Sequence, residues 1–374
     1  MNSIRLNRRS ILKATLGSGM LLAAPSIIRA QGSSSGELTL HGWEGYQVDK
    51  VLERFTKETG IKVNFIGHVN QDSMFAQARL SAQGSGGADL AEPTVERISQ
   101  WLSDGMVQPL DRSKLEMDHY VSGMPGTKEG DPAYISGKMY FVPSCWGGEA
   151  MGYASDVPNH AYGEASLKQL FDPQFEGQVT VRAESALPAM GRLMDLEGKL
   201  PRPYLDSYKS EEAMRQNFDV ILPEVIKAKS NFVQFWSNDN EASGAFLSNG
   251  ARVGLVWESA GRMIKPHGFD FVAPKEGAFA WVQGFVLLKN APNVEQANAY
   301  LNWISKPENS AILSKGYLAN PSCVGAVELM DEVTRAFVPS SYPGDAMEKM
   351  WWRPAADTWF VKLLGGYCDK LRAA

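Results

Sequence analysis

Apolar and polar positions along Glu37–Phe65 follow two periods in turn. Leu38 and Leu40 alternate as in a strand, Val48, Val51, Leu52 and Phe55 recur at helical spacing, and alternation resumes at Ile61, Val63 and Phe65. The pattern predicts strand, helix, strand, with Gly60 as a left-handed helix cap and Glu53 to Lys57 as a supporting i, i+4 ion pair. Gly42-Trp43-Glu44-Gly45-Tyr46 then falls on the loop beyond the carboxyl end of the first strand, where open α/β sheets bind ligands.

The alternation of elements continues. Asp72 is placed to cap a helix reaching about Gln83, and Gly84-Ser85-Gly86-Gly87 ends it before a short strand, Ala88–Glu92. Those glycines follow a helix and carry no Gly-Lys-Ser/Thr, which excludes a phosphate-cradling loop. Pro93-Thr94-Val95-Glu96 leads into a helix that turns Ile98, Trp101 and Leu102 inward. Residues Met106–Ser144 are rich in Gly, Pro and Asp and close on the strand-like Met139–Pro143, the place for a lobe boundary. The pattern then restarts: a strand at Gly148–Ser155, a short helix at Leu167–Phe171, a turn from Phe175 into a strand ending at Val181. Ser210 opens a helix to about Lys227 that Pro223 is placed to kink, strands Val253–Trp257 and Trp281–Leu288 flank a helix containing Arg262 and Met263, and a helix runs from Val294 to about Ser305. This is an α/β protein, and 374 residues suit one large domain or two lobes of ~150 residues each.

Charge changes the picture at the amino end. Residues 1–30 hold five basic residues and no acidic one, and Asn7-Arg8-Arg9-Ser10-Ile11-Leu12-Lys13 resembles the twin-arginine export motif, with Asn for the usual Ser or Thr and Ile for the usual Phe. A short apolar segment and Ile28-Arg29-Ala30 follow, so the reading is a cleavable signal cut near Ala30 and a periplasmic protein. Pro25 interrupts an apolar run shorter than the ~20 residues a spanning helix needs, and no Cys follows to take a lipid. Removing residues 1–30 leaves 344 residues with a formal net charge of −10, against −5 for the whole chain, which disfavours nucleic acid and anionic membranes as partners. Cys145, Cys323 and Cys368 show no Cys-x-x-Cys spacing and read as buried free thiols. The five histidines, His41, His68, His119, His160 and His267, lack metal-ligand spacing, and neither Gly-x-Ser-x-Gly nor HExxH is present, so no metal, cofactor or catalytic residue is expected. A secreted enzyme using a cleft carboxylate pair is the rival class, and an iron or thiamine binder of the same fold is a second rival.

Ordered motifs tie the elements to a family. Trp43-Glu44-Gly45-Tyr46 with Phe55-Thr56-Lys57-Glu58-Thr59-Gly60-Ile61-Lys62-Val63, Asp89-Leu90 with Pro93-Thr94, Asp104-Gly105-Met106-Val107-Gln108 with Asp111-Arg112-Ser113-Lys114-Leu115, Trp146-Gly147, Ser237-Asn238-Asp239-Asn240, Pro274-Lys275-Glu276-Gly277 and Gly316-Tyr317 occur in sequence. Together they resemble the periplasmic solute-binding proteins of bacterial ABC importers, in particular the spermidine/putrescine-binding group. The resemblance implies a two-lobe periplasmic-binding-protein fold, type II-like, whose hinge closes the lobes on a ligand between them. Lobe 1 is then about 36–143 and 284–330, and lobe 2 about 144–283 and 331–374. It also implies a monomer that delivers its ligand to permease subunits in the inner membrane.

The resemblance assigns pocket positions residue by residue. Trp43, Tyr46, Trp257 and Trp281 match aromatics that stack on the methylenes and ammonium groups of a polyamine, an attraction of about 0.5 to 2 kcal/mol for a cation over a ring; the plainer alternative is core or rim packing, which Trp236 shares. Thr94 matches a ligand-binding hydroxyl or else a helix cap. Glu96 stands where the group has an aromatic, Glu184 matches an ammonium-binding carboxylate, Leu187 replaces a second acid, and Gln283 stands where the group has its main Asp. Arg353 falls near a neutral amide of the group, and Glu44 and Arg182 are candidates from the same loops. A polyamine is the implied ligand, with a zwitterionic or carboxylate-bearing amine, amino-acid-like or opine-like, as the alternative if Arg353 faces the cleft.

Overall fold

A computed structural model of the chain describes residues 36–44, 46, 48–84, 87–121, 124–126 and 133–374, so the twin-arginine segment lies outside the described residues. β1 (Gly36–Trp43), α1 (Asp49–Thr59) and β2 (Ile61–His68) form the opening unit, and β1 pairs in parallel with β2 along its length. Val51 and Phe55 are buried, and Gly60 ends α1 in the left-handed conformation with its N–H on the Thr56 carbonyl. Two details depart from the sequence pattern. The ion pair along α1 is Arg54 with Glu58, 2.7 Å apart, in place of Glu53 with Lys57, and the Trp303 indole also donates to Glu58 and favours that choice. Trp43 ends the strand and is no loop residue, because its Nε1 donates to the Glu92 carbonyl at 2.9 Å and holds it against the sheet.

α2 (Gln71–Ala82) is capped by Asn70 rather than Asp72. Asn70 and Ser73 form a reciprocal capping box, which leaves Asp72 to pair with Arg97. β3 (Leu90–Ala91) is shorter than expected and lies parallel to β1, and a 3-10 turn at Val95–Arg97 precedes α3 (Ile98–Ser103). Beyond the hairpin of β4 (Tyr134–Ile135) and β5 (Lys138–Met139), the two strands read at 139–143 and 148–155 are largely one, β6 (Val142–Ala154). Three of its glycines are where other rings lie against the strand: Trp281 on Gly147, Tyr342 on Gly148 and Phe246 on Gly152.

The chain continues through β7 (Val179–Val181), α4 (Ala183–Leu196), α5 (Glu211–Lys227), β8 (Phe232–Phe235), α6 (Asp239–Ser248), β9 (Val253–Trp257), α7 (Glu258–Ile264) and β10 (Phe269–Val272). Ser210 caps α5, which runs on through Pro223. Then come β11 (Phe279–Leu287), α8 (Val294–Ile304), α9 (Pro307–Tyr317), β12 (Asn320–Pro321), α10 (Glu332–Ser341), β13 (Trp351–Trp352) and α11 (Thr358–Ala373).

Strand order is β2-β1-β3-β11-β6-β9-β7-β8, with β10 and β12 also on β6 and β13 on β11. β6 and β11 therefore carry the two-lobed architecture: β11 pairs with β6 from Phe279 to Phe285, then hands Val286 and Leu287 to β3. Their register shifts between Gln283 and Gly284, where any side chain at 284 would run into the Val142 carbonyl. One buried apolar cluster runs from Leu38 to Cys145 and from Val282 to Met330, while two others take Met151–Phe279 with the α11 residues, and Ala150–Ala280 with Phe337, Tyr342 and Met350. All three cysteines are buried and unpaired. No helix among the described residues is long and apolar enough to cross a membrane.

Candidate functional site

A cavity of about 430 Å³ takes its lining from elements of the first cluster and of the other two. Trp43, Tyr46, Thr94, Glu96, Glu184, Trp257, Trp281, Gln283 and Arg353 all border it, as does Arg182. Glu44 does not; its side chain is exposed and lies against Gly67. Trp236 is buried behind Trp257, edge-on at 4.9 Å, with its Nε1 donating to the Leu255 carbonyl.

The four aromatics are held in different ways. Trp43 has spent its indole N–H on Glu92, so only its ring is offered to the cavity. Tyr46 meets Tyr317 edge-on at 5.1 Å and donates its hydroxyl hydrogen to Asp239, which also accepts from Ser259 Oγ at 2.7 Å and the Ala260 N–H at 3.2 Å. Burial, with the Asp239 carboxylate beside it, pushes the Tyr46 hydroxyl well above its ordinary pKa. Trp257 already carries a cation, the Arg182 guanidinium 4.7 Å from its ring centre. Trp281 has a buried Nε1 with no hydrogen-bond partner.

The polar residues divide into paired and unpaired groups. Thr94 accepts from Gln71 Nε2 at 3.1 Å, caps no helix through its side chain, and is bridged backbone to backbone with Gln283, which fixes two cavity residues from distant segments side by side. Glu184, in the first turn of α4, accepts from Arg372 at 2.7 Å; burial opposes its ionisation, but Arg182, the helix amide and Arg372 outweigh it and hold the carboxyl below its ordinary pKa. Arg97 pairs with Asp72 at 3.0 Å. Glu96 has a buried Oε2 without a partner, while its carbonyl accepts from the Ala356 N–H at 2.7 Å.

Arg182 and Arg353 share anchors that the sequence pattern did not reveal. Both reach Glu149 Oε2, at 3.5 and 2.7 Å, and both donate to Ser185 Oγ at 3.2 Å. Arg353 also lies 5.0 Å over the Phe279 ring. Glu149 is wholly buried on β6; an acid in a strand of small and apolar residues was the available signal, since such a group needs a cation. Asn70, Asp72, Arg97, Tyr208, Ser259 and, from α11, Phe360, Val361, Leu364 and Arg372 also line it. Among the described residues no group of three or more His, Cys, Asp or Glu is placed to hold a metal.

An enclosed, aromatic-lined cavity with a few fixed polar groups, between lobes joined by two long strands, defines a ligand-binding protein. The model of the family described as bacterial extracellular solute-binding protein matches residues 50–337, and the chain belongs to that family. The chain is 27% identical over 283 residues to the spermidine/putrescine-binding periplasmic protein of Salmonella typhimurium, covering 75% of each chain. It is 27% identical over 359 residues to spermidine/putrescine-binding periplasmic protein 1 of Haemophilus influenzae, covering 92% of this chain and 91% of that one. A solved structure of a putative spermidine/putrescine ABC transporter protein from Listeria monocytogenes superposes with a TM-score of 0.73 at 20% identity, over 90% of this chain and 98% of that one.

Proposed function

We propose that this protein is the periplasmic substrate-binding component of an ABC importer, that it captures a small organic amine of the polyamine type, and that it delivers the amine to permease subunits in the inner membrane. The observation that carries the reading is the cavity itself: Trp43, Tyr46 and Trp281 offer rings, and Glu96 offers a buried carboxylate oxygen with no partner, on which an ammonium group sits. Its volume, about 430 Å³, falls in the small-molecule range of roughly 300 to 1,000 Å³. The relatives named for spermidine and putrescine support the ligand class.

In this reading the protein binds and does not catalyse, works as a monomer, and is exported through the twin-arginine segment with cleavage near Ala30. The lobes are taken as 36–143 with 284–330 and 144–283 with 331–374, a division supported by the separation of the apolar clusters. Calorimetry on protein purified without refolding tests it with a panel of small amines headed by spermidine and putrescine. One-to-one binding that Trp281→Ala weakens at least tenfold is expected. Absence of binding by any amine, or a non-amine ligand found bound by native mass spectrometry, overturns it.

A further inference from the structure

We infer that the ligand carries a carboxylate as well as its amine, with the carboxylate seated on Arg182 and Arg353. The inference rests on the amine-binding reading above and narrows it. Most charges around the cavity are held in close ion pairs. Arg97 is matched by Asp72, and Arg372 by Glu184. Arg182 and Arg353 share one carboxylate within ion-pair distance, Glu149 Oε2, while Arg182 also acts on Glu184 and Asp239, and Arg353 on Glu96, at longer range. Among the described cavity residues, Glu96 is then the acid without an ion pair, and its Oε2 is also without a hydrogen bond. Asp239 and Glu92 lie outside the lining and have their own donors. Gln283 and Leu187 add no charge.

An arginine pair sharing one close carboxylate, with Glu96 acting on Arg353 but in no close ion pair, gives one cavity a seat for an anion and a seat for an ammonium, which complements a zwitterion. A polyamine would bring two or three positive charges to a single free carboxylate and set them beside two guanidiniums. The arginines are also built to receive an anion. Their side chains are only 19% and 13% exposed, Ser185 ties both, and each guanidinium lies over a ring, Arg182 over Trp257 and Arg353 over Phe279.

Two matched ligand pairs test this. N-(aminobutyl)-β-alanine differs from spermidine by a carboxylate in place of a terminal aminomethyl group, and γ-aminobutyrate differs from putrescine in the same way. Calorimetry on the mature wild-type protein is expected to show the carboxylate member of at least one pair binding tenfold or more tightly than its all-amine partner. Arg182→Gln and Arg353→Gln should each remove that preference, the carboxylate member losing at least tenfold more affinity than its all-amine partner. Tighter binding of the all-amine member in both pairs overturns the inference and leaves the amine reading standing, whereas no binding by any of the four overturns both. Arg353→Gln strands the buried Glu149 and its fold is checked by thermal melting; if it does not fold, the wild-type comparison and Arg182→Gln decide.

Discussion

Tyr46 donates its hydroxyl hydrogen to Asp239, a residue 193 positions further along the chain. Tyr46 packs against the first apolar cluster, whereas the helix that Asp239 begins, α6, packs in another through Ala242, Ala245 and Phe246. The bond ties the two core regions beside the cavity. Removing one partner leaves the other buried and unsatisfied, a cost of about 1 to 3 kcal/mol. Tyr46→Phe is therefore expected to weaken ligand binding roughly tenfold or more. Asp239→Asn, which does not border the cavity, should do the same, and the double variant should lose no more than either single one. Additive losses in that cycle would show that the pair does not act as a latch.

Two buried groups of opposite character contribute opposite pH dependences. Glu92 accepts from Ser144 at 2.7 Å and from Tyr317, and burial pushes its carboxyl from the ordinary 4.5 to about 7 against those donors. His41, 2.8 Å from His68, is lowered from 6.5 to about 4 by burial and by His68. The raised carboxyl contributes stability that is complete below 4.5 and lost as pH rises through about 7; the lowered imidazole contributes stability that is complete above 6.5 and lost as pH falls towards 4. Between about pH 4.5 and 6.5 these two contributions oppose each other. Glu92→Gln should expose the His41 slope, so that the variant loses stability on acidification by about 1.4 kcal/mol per pH unit relative to wild type, and His41→Asn should lose it in the opposite direction. Urea midpoints across that range check the signs. Profiles parallel to wild type would contradict the assignment.

Gly147 supports the cavity from behind. A Cβ there would stand 2.5 Å from Trp281 Cζ2, so Gly147→Ala must drive the indole out of its seat. Overpacking of this kind costs about 1 to 3 kcal/mol. The expected outcome is a protein with wild-type circular dichroism and at least tenfold weaker ligand affinity; unchanged affinity would place Trp281 outside the binding surface.

Export is tested independently of the ligand. Replacing both Arg8 and Arg9 by Lys keeps the charge and removes the paired guanidiniums that define the motif. Fractionation should then find a full-length cytoplasmic precursor where the wild type is periplasmic and shortened by about thirty residues. Equal periplasmic yield from the double variant would assign export to another route.

The elements whose apolar period is local were legible from sequence. Leu38–Phe65, the Ser210-capped α5 and the buried Val253–Trp257 strand each carry their pattern within one element, because burial of a face needs only residues two or three to four apart to be alike. The aromatic positions were legible for a related reason: strand ends next to loops, read with the family motifs, gave nine residues that border one cavity. β6 was misread because residues 144–147 do not extend the local apolar pattern on either side, while Gly147 in that gap receives the Trp281 ring from elsewhere in the chain. Which charges remain free in the cavity was not legible at all. Arg353 and Glu149 are 204 positions apart and meet only because β13 lies on β11 and β11 on β6. The sequence determined how many charges the chain has, and the sheet register decided which of them cancel, since Coulomb pairing depends on separation in space and distance along the chain does not enter it.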